Sequence, residues 1–525
     1  MSTQPRTAEG ERPLSEGQRD RGDSPRELLR KRSGLLIGVV LGLAVFLLMP
    51  GELPYELRAT AGATVLIASW WMSEAIPLAA TALVPLFLFP MLGLADIGDF
   101  SGSYTKPTIF LFMGGFMLAL AMQRWNLHRR IALWVLVAMG SSTRMLILGF
   151  MIATGFLSMW VSNTATAVMM LPIGVSVLSM IVDVIRREQR VGAASAAAGE
   201  LVEEEGLYED PVPNSNFGIA LMLGIAYSAS IGSLGTIIGT PPNAMLAAYM
   251  ADAHGLDIGF AQWMLVGVPV AVVLMLAAWF LLTFVLYRPE VKTVPGGREM
   301  MRDQLAQLGP MGRGEARVLA VFVIAALSWV FVPTIWPDTM ISDAVIAMAV
   351  GISLFLIPGG PDGVKLLTWE NMYELPWGVL LLFGGGLALS GQFGDSGLSE
   401  WIGQKLEGIG GLPILLIVLI VAFVVLVLTE FTSNTATAAT FLPIIGGIAM
   451  AIGIDPMILC VPVALAATSA FMMPVATPPN AIAYGSGYVS MGDMIRSGIW
   501  LNLIALVLIS ITSLTLVGWV FQVVY

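Results

Sequence analysis

One twelve-residue phrase occurs twice in this chain, and it limits the folds that the chain can adopt. Ser162–Ile173 reads SNTATAVMMLPI and Ser433–Ile444 reads SNTATAATFLPI, so nine of the twelve positions are identical across a separation of 271 residues. A second phrase, TPPNA, follows each copy, at Thr240–Ala244 and at Thr477–Ala481. Small polar residues and prolines thus interrupt apolar stretches at matching places in both halves. This pattern predicts two structural repeats whose helices are broken, with a binding site at the breaks.

The composition indicates that the chain lies in a lipid bilayer. Of its 525 residues, 57% are hydrophobic and only 12% are charged, and the mean hydropathy is +0.82. Repeated apolar runs of about 20 residues are typical of helices that span a membrane. The single cysteine, Cys460, excludes a disulfide framework within one chain and a cysteine-based metal site. Two histidines, His128 and His254, are too few for a histidine-rich metal centre. We also expect no nucleic-acid partner.

Clusters of Lys and Arg predict the orientation in the membrane. The basic clusters at 26–32, 124–130, 186–190 and 288–317 fall on one side if the N-terminus is cytoplasmic and the two SNT segments are re-entrant hairpins. We therefore predict an all-α polytopic protein of the cell (inner) membrane, with 11 transmembrane segments and the C-terminus outside. Because that number is odd, the two repeats are predicted to be inverted, each with a re-entrant hairpin and a broken helix.

The apolar segments and the polar stretches between them predict the organisation of the chain. Residues 1–33 are polar and are interpreted as a disordered cytoplasmic tail. The first repeat spans 34–287 and the second 318–525, with a cytoplasmic linker at 288–317 between them. The other predicted boundaries are those of the hairpins at about 143–178 and about 413–448, the broken helices at 216–253 and 457–490, and a cytoplasmic insert at 184–215.

The repeated phrases contain the chemical groups that bind ions. A Ser-Asn-Thr tip exposes hydroxyls, an amide and unpaired main-chain carbonyls, which are hard oxygen ligands for a small cation. The N–H groups at the start of the returning half-helix carry the positive end of its dipole and suit a carboxylate. The paired prolines of TPPN remove two N–H donors and prevent a continuous helix. One broken-helix site can therefore hold a cation and an anion side by side.

Glu430 is an acidic residue inside an apolar run, three residues before Ser433. An ionisable side chain at membrane depth predicts a functional role, here as the neighbour of a cation or as a coupling group. The alternative is a carboxylate that caps or pairs within the hairpin. The equivalent position in the first half is Met159, so this charge is not part of the duplicated machinery.

The paired SNT phrases resemble the signature of the divalent anion/sodium symporter family, whose members move dicarboxylates, citrate or sulfate. The segment WWMSEAIPLAATALVPLFLFPMLG at 70–93 also resembles the N-terminal segment of that family, and the similarity runs from about 34 to 522. The resemblance implies two hairpins, two helices broken at their middles, a homodimer, and a site for a co-transported sodium ion in each repeat.

The resemblance also implies the residues of the site. The first sodium site would use Ser158, Ser162, Asn163 and Gly239, and the second would use Thr429, Thr432, Asn434 and Ala476. The substrate would lie between them, held by Asn163, Thr164, Thr240, Asn434, Thr435 and Thr477, with Pro241 and Pro478 lining the pocket. No Lys or Arg belongs to this set, so cations and helix dipoles must balance a dianion.

We therefore predict a secondary active transporter, not an enzyme, that imports a C4-type dicarboxylate such as succinate, malate or fumarate with sodium, by alternating access of a moving transport domain. Alternatives that keep the fold are a sodium-independent dicarboxylate exchanger, a proton-coupled carrier, and a sodium-coupled citrate or sulfate transporter. An intramembrane enzyme would need a positioned nucleophile and base or a metal cluster, which the apolar segments lack. The duplicated, inverted broken helices disfavour a channel.

Overall fold

The chain folds into helices joined by turns and short loops. The computed structural model describes residues 24–196, 215–294, 296–336, 339–405 and 411–523. Within these ranges, extended pairing is limited to two isolated bridges, Ser142 with Thr293 and Pro358 with Lys365. Eight helices in the described chain are long and apolar enough to cross a membrane. The predicted class, an all-α membrane protein with several spans, is thereby confirmed, and the number of 11 spans stays a prediction.

The first half of the chain contains thirteen of the described α-helices. They are α1 (Pro25–Leu48), α2 (Tyr55–Ser73), α3 (Leu78–Thr81), α4 (Val84–Met91), α5 (Ile97–Ser101), α6 (Pro107–Arg124), α7 (Leu127–Met139), α8 (Thr143–Ser158), α9 (Asn163–Ala196), α10 (Asn216–Ser233), α11 (Pro241–His254), α12 (Phe260–Phe280) and α13 (Gly297–Gln307). Short 3₁₀ helices lie at Gly102–Thr105 and Ile237–Gly239, and a π-helical turn at Leu281–Leu286 extends α12.

The second half contains ten described α-helices. They are α14 (Arg313–Ile335), α15 (Asp343–Leu356), α16 (Trp377–Asp395), α17 (Leu398–Lys405), α18 (Ile414–Thr429), α19 (Asn434–Ala451), α20 (Pro456–Thr468), α21 (Pro478–Gly485), α22 (Met491–Thr512) and α23 (Gly518–Phe521). Short 3₁₀ helices lie at Pro361–Gly363 and Trp369–Glu374, and a π-helical turn at Ser513–Val517 follows α22.

The first helix begins earlier than the sequence predicts. It starts at Pro25, inside the tail expected to be disordered through residue 33. The physical reason is a capping box, in which the Ser24 hydroxyl accepts the Glu27 N–H at 3.3 Å and the Glu27 carboxylate accepts the Ser24 N–H at 2.9 Å. Residues 1–23 of the predicted tail lie outside the described residues.

The predicted insert at 184–215 also begins as helix. Helix α9 continues to Ala196, past the hairpin boundary expected at about 178. The sequence 184–196 has good helix formers and no proline, so nothing local ends the helix at that boundary. Residues 197–214 of the insert lie outside the described residues.

Both SNT phrases lie where a helix ends and another begins. Helix α8 ends at Ser158 and α9 begins at Asn163, while α18 ends at Thr429 and α19 begins at Asn434. Ser433 is the extended N-cap of α19, and its carbonyl accepts the first helical bond, from the Thr437 N–H at 2.9 Å. Ser, Asn and Thr favour such positions because their side chains compete for nearby main-chain groups.

Both TPPN phrases start a helix after a break. Helix α10 ends at Ser233 and α11 begins at Pro241, while α20 ends at Thr468 and α21 begins at Pro478. The preceding threonines are N-caps with nearly the same extended backbone, at φ −147° and ψ 144° for Thr240 and φ −140° and ψ 149° for Thr477. Proline suits the first helical turn, since the N–H that it lacks would have no helical partner there.

The broken elements of the two halves pack against each other. Each SNT pair contacts the broken helix of its own half, α8 and α9 against α10, and α18 and α19 against α20. Across the halves, α9 packs against α21, and α19 packs against α11. Gly232 of α10 lies so close to α8 that an added Cβ would be 2.2 Å from the Gly155 carbonyl oxygen. Small residues thus bring the interrupted backbones together.

Candidate ion-binding and substrate-binding site

Three oxygen atoms meet at the end of α8, and we call them the Ser158 cluster. The Ser158 hydroxyl lies 2.8 Å from the Asn163 side-chain oxygen Oδ1 and 2.6 Å from the Ala229 carbonyl oxygen. Ser158 is fully buried. The Asn163 amide nitrogen points the other way and donates to the Ser233 hydroxyl at 3.2 Å, so α8, α9 and α10 all contribute to this point.

The second half builds the same arrangement at the end of α18, the Thr429 cluster. The Thr429 hydroxyl lies 2.8 Å from Asn434 Oδ1 and 2.7 Å from the Ala467 carbonyl oxygen. Thr429 is also fully buried. The two clusters therefore agree in atom types, in spacing along the chain and in distances to within about 0.1 Å.

Each cluster holds more acceptors than hydrogens. A hydroxyl carries a single hydrogen, so Ser158 can donate to Asn163 Oδ1 or to the Ala229 carbonyl, but not to both at once. In these amide orientations, one close oxygen pair in each cluster has no hydrogen between its atoms. Buried oxygens normally find a donor or a cation. The oxygen-only surroundings fit a small, hard cation such as sodium.

The oxygen atoms that form the two clusters are neutral, which favours a monovalent ion. No group of three His, Cys, Asp or Glu side chains able to hold a metal occurs within the described residues. Neutral hydroxyl, amide and carbonyl oxygens replace a hydration shell without adding negative charge. The sequence has no Lys or Arg at 145–185, 217–287 or 406–495, the segments that form this region. An anion bound here would therefore be balanced by the cations and by main-chain N–H groups.

Two asparagines of the TPPN phrases hold the break loops. Asn243 Nδ2 donates to the carbonyls of Ser233 and Thr236, at 3.3 and 2.9 Å, and also to the Leu234 carbonyl at 3.3 Å. Asn480 Nδ2 donates to the carbonyls of Ala470 and Met473, both at 3.1 Å. The accepting residues lie ten and seven positions before each asparagine, so the loops are held in the same way.

Gly239 and Ala476, predicted to supply carbonyl ligands, occupy equivalent places in these loops. The Gly239 N–H donates to the Thr236 carbonyl at 3.4 Å, and the Ala476 N–H donates to the Met473 carbonyl at 3.2 Å. A Cβ on Gly239 would be 2.3 Å from the Ser233 carbonyl oxygen, so only glycine fits in the first loop.

Two other predicted sodium ligands already have partners. The Ser162 hydroxyl accepts the Ala165 N–H at 3.3 Å, and its carbonyl accepts the Thr166 N–H at 3.0 Å. The Thr432 hydroxyl donates to the Leu428 carbonyl at 2.8 Å and lies 2.7 Å from the Thr437 hydroxyl. The described contacts therefore join Ser158 with Asn163 and Thr429 with Asn434, and they do not link Ser162 or Thr432 to those pairs.

The predicted substrate residues lie at the starts of four helices. Thr164 is exposed and Thr435 is half-buried in the first turns of α9 and α19, while Thr240 and Thr477 are buried caps. The Thr477 hydroxyl accepts the Asn480 N–H at 3.2 Å. Pro241 is half-buried and Pro478 is exposed. Because α9 packs against α21 and α19 against α11, each SNT helix contacts the TPPN helix of the other half.

Several contributors to this region were not predicted from the sequence. The carbonyls of Ala229 and Ala467 belong to apolar residues, and a sequence does not indicate which main-chain oxygens will contact a side-chain hydroxyl. Asn243 and Asn480 did carry a signal, since both complete the repeated phrase TPPN. The Ser233 hydroxyl has no counterpart in the second half, where Ala470 occupies the equivalent position.

Comparison with known proteins identifies the family. The profile of the sodium:sulfate symporter transmembrane region matches residues 30–523. The chain belongs to this family. Among its relatives, the sodium-dependent dicarboxylate transporter SdcS of Staphylococcus saprophyticus is 42% identical over 487 residues, which cover 91% of this chain and 90% of the relative. SdcS of Staphylococcus aureus is 42% identical over 488 residues, with the same coverage.

A solved structure shares the fold of this sodium:sulfate symporter family member. The YdaH transporter of Alcanivorax borkumensis superposes with a TM-score of 0.52 over 94% of this chain and 98% of its own, at 15% sequence identity. At that identity the likeness concerns the fold alone. The resemblance read from the SNT phrases is confirmed by the family match, and membership of a symporter family makes the chain a membrane transporter and not an enzyme.

Proposed function

We propose that the protein imports C4-type dicarboxylates, such as succinate, malate or fumarate, together with sodium. The observation that carries this proposal is the pair of matching oxygen clusters around Ser158 and Thr429, in each of which one buried hydroxyl lies within 2.8 Å of an asparagine side-chain oxygen and a main-chain carbonyl. The names of relatives that are 42% identical along nearly their whole length, sodium-dependent dicarboxylate transporters, support the choice of ion and substrate.

In this proposal, one sodium ion binds at each cluster. The predicted ligands are Ser158, Ser162, Asn163 and Gly239 for the first ion, and Thr429, Thr432, Asn434 and Ala476 for the second. The clusters support Ser158 and Asn163 in the first set and Thr429 and Asn434 in the second. The carbonyls of Ala229 and Ala467 join them as neighbours of the ions. Ser162 and Thr432 would contribute through atoms not engaged in their present hydrogen bonds.

The dicarboxylate would lie between the two ions. Its carboxylates would be held by Asn163, Thr164, Thr240, Asn434, Thr435 and Thr477, with Pro241 and Pro478 lining the pocket. The helices α9, α11, α19 and α21 start at these residues, and the positive ends of their dipoles suit a dianion. Each sodium ion raises the local potential for the anion, and by linkage the anion raises the affinity for sodium. Coupling therefore needs no basic side chain.

We further propose that the hairpins and broken helices move as a transport domain against the other helices. The proposed units are the repeats at 34–287 and 318–525, with the linker at 288–317 between them, in a homodimer of the cell membrane with the N-terminus cytoplasmic and the C-terminus outside. The lateral packing of α11 against α16, and of α19 against α2, would form the sliding surface.

The test is uptake of radiolabelled succinate into proteoliposomes with an inward sodium gradient. We expect uptake above the external concentration, which collapses when potassium or choline replaces sodium on both sides. The protein-free liposome and a transporter in which Asn163 and Asn434 are both alanine serve as controls. Succinate uptake that does not depend on sodium would overturn the proposed sodium coupling.

Three further measurements separate the alternatives. Labelled succinate that enters sodium-free liposomes only when unlabelled succinate is inside would identify an exchanger. Competition by citrate or sulfate at concentrations below those effective for malate and fumarate would reassign the substrate. Uptake driven by a proton gradient without sodium would identify a proton-coupled carrier.

A further inference from the structure

Glu430 is at the centre of a polar cluster that we call the Glu430 clamp, made of its carboxylate, the loop Phe471–Met473 and Asn502. The carboxylate accepts the main-chain N–H groups of the loop, from Phe471 at 2.9 Å, from Met472 at 3.0 and 3.1 Å, and from Met473 at 3.0 Å. Asn502 Nδ2 donates to Oε1 at 2.6 Å. Glu430 is 2% exposed, and four donors occupy both of its oxygens. It is therefore placed as an anchor for the loop.

Helix α22 packs closely against the same loop. Gly498 lies one turn before Asn502, and a Cβ there would be 2.4 Å from the Phe471 carbonyl oxygen and 2.6 Å from Met472 Cα. Residues four apart lie on one face of a helix. Gly498 permits the close approach and Asn502 completes the hydrogen bonds, so α18 and α22 hold the loop from two sides.

In the first half, a helix approaches the equivalent loop equally closely, but no acidic residue takes the place of Glu430. Gly267 of α12 takes the place of Gly498, since its added Cβ would be 2.3 Å from the carbonyl of Leu234, which is equivalent to Phe471. At the 231-residue offset of the two glycines, Ala271 stands for Asn502, and at the 271-residue offset of the SNT phrases, Met159 stands for Glu430. There the Leu234 and Gly235 N–H groups donate to carbonyls of their own turn, at 3.2 and 2.9 Å. The acid and its amide partner are thus present together or absent together.

The clamp is one residue from the Thr429 cluster and three residues from Ala476. Glu430 follows Thr429 directly. Met473 gives its N–H to Glu430, while its carbonyl accepts both the Ala476 N–H at 3.2 Å and Asn480 Nδ2 at 3.1 Å. A displaced Met473 would therefore displace the segment that presents the Ala476 carbonyl and the Thr477 cap.

We propose that Glu430, supported by Asn502, is a positioning residue for the second cation site. Its carboxylate fixes the loop Phe471–Met473 so that the Ala476 carbonyl is held at the Thr429 cluster before the ion arrives. Within the described residues the first loop has no carboxylate anchor, and its tie to the hairpin is a neutral hydrogen bond from the Thr236 hydroxyl to the Met159 carbonyl. This inference rests on the proposed sodium coupling, and it assigns Glu430 to the loop and neither to the ion nor to a transported proton.

The experiment combines a local and a functional measurement on Glu430→Gln, which keeps the size of the side chain and removes its charge. In nanodiscs, hydrogen–deuterium exchange of the 471–473 amides should quicken by about tenfold or more, because their acceptor is weakened. Exchange in the first loop at 234–239 should not change. In proteoliposomes, the sodium concentration for half-maximal succinate uptake should rise about tenfold, while the succinate KM at saturating sodium stays within about twofold.

Matched variants keep the test decisive. Asn502→Ala removes one donor and leaves the main-chain bonds, so it should shift exchange and sodium dependence in the same direction by a smaller factor, and it serves if Glu430→Gln does not fold. Met159→Leu, at the equivalent position of the first half, should change neither. Unchanged exchange at 471–473 would overturn the clamp.

Two outcomes separate the clamp from the proposed function. Faster exchange with an unchanged sodium requirement would reduce Glu430 to a structural residue and overturn its role in positioning. Wild-type uptake without any sodium dependence would overturn the proposed coupling, while the exchange rates would still decide whether Glu430 holds the loop.

Discussion

At the scale of single residues, the hydroxyls of Ser158 and Thr429 are the centres of the two proposed cation sites. Each has one hydrogen and two close oxygen acceptors, at 2.6 to 2.8 Å. Serine serves in the first half and threonine in the second, so the shared requirement is the hydroxyl oxygen and not the rest of the side chain. A cation placed among these oxygens would relieve the shortage of hydrogens.

We expect Ser158→Ala and Thr429→Val each to weaken sodium binding, because each removes one oxygen of a cluster. The sodium concentration for half-maximal succinate uptake should rise by about tenfold or more. Sodium titrations of initial uptake rates in proteoliposomes would measure this. Thr429→Ser keeps the oxygen and should stay near the wild type.

The control for these substitutions is Thr334→Val. Thr334 donates to the Val330 carbonyl of its own helix at 2.7 Å, away from both clusters. It should leave the sodium dependence unchanged. If Thr334→Val shifted the titration as far as Thr429→Val does, the loss of a membrane hydroxyl in general would explain the effect, and the cluster would not.

At the scale of elements, each broken helix depends on one asparagine. Asn243 and Asn480 are fully buried, and their amides donate to carbonyls of the loop that interrupts each helix, among them those of Thr236 and Met473. Their Oδ1 atoms are among the buried atoms that have no hydrogen-bond partner within the described chain. These asparagines supply hydrogen-bond donors to the carbonyls of an interrupted backbone in an apolar environment.

We expect Asn480→Ala to destabilise the protein by about 1–3 kcal/mol, because the Ala470 carbonyl loses its donor, whereas the Met473 carbonyl keeps the Ala476 N–H. Thermal unfolding in detergent, followed by intrinsic tryptophan fluorescence, would show a lowered midpoint. Asn216→Ala removes an exposed amide that donates to the Arg288 carbonyl at 3.2 Å, and it should change the midpoint far less. An equal drop in both variants would contradict the role assigned to Asn480.

Particular residues show what the sequence could and could not predict. The family and the helical membrane class could be predicted, because Ser, Asn, Thr and Pro recur at fixed places in otherwise apolar segments. Three of the four donors to Glu430 could not, because they are main-chain N–H groups 41 to 43 residues away and carry no side-chain signal. The fourth, Asn502, is 72 residues away on another helix. The start of α1 at Pro25 was missed because Ser24 and Glu27 form a capping box within a stretch whose composition is that of disorder.

At the scale of the whole molecule, the two halves interlock instead of lying side by side. Helix α9 of the first half packs on α21 of the second, and α19 of the second packs on α11 of the first. Neither half therefore forms the central region alone. Away from that region, α7 and α14 are joined by a buried ion pair between Arg130 and Glu315, whose side chains are 7% and 8% exposed.

We expect Arg130→Met to destabilise the protein by about 3–5 kcal/mol, because it leaves the Glu315 charge buried without its partner. The double variant Arg130→Met/Glu315→Met removes both charges and should recover most of that loss. Chemical denaturation in detergent would measure both. A double variant no more stable than Arg130→Met alone would show that the pair itself, and not the stranded charge, stabilises the junction of α7 and α14.

The Ser158 and Thr429 clusters contain no charged atom, and this has a consequence for the proposed transport cycle. Neutral oxygen ligands would bind a sodium ion more weakly than carboxylate ligands, which would retain the ion after the dicarboxylate had dissociated. In the proposed transport cycle, weak binding would let the sodium ions dissociate into a compartment poor in sodium, after which the empty transporter could return to its starting state. Modest affinity is, on this view, what permits repeated cycles.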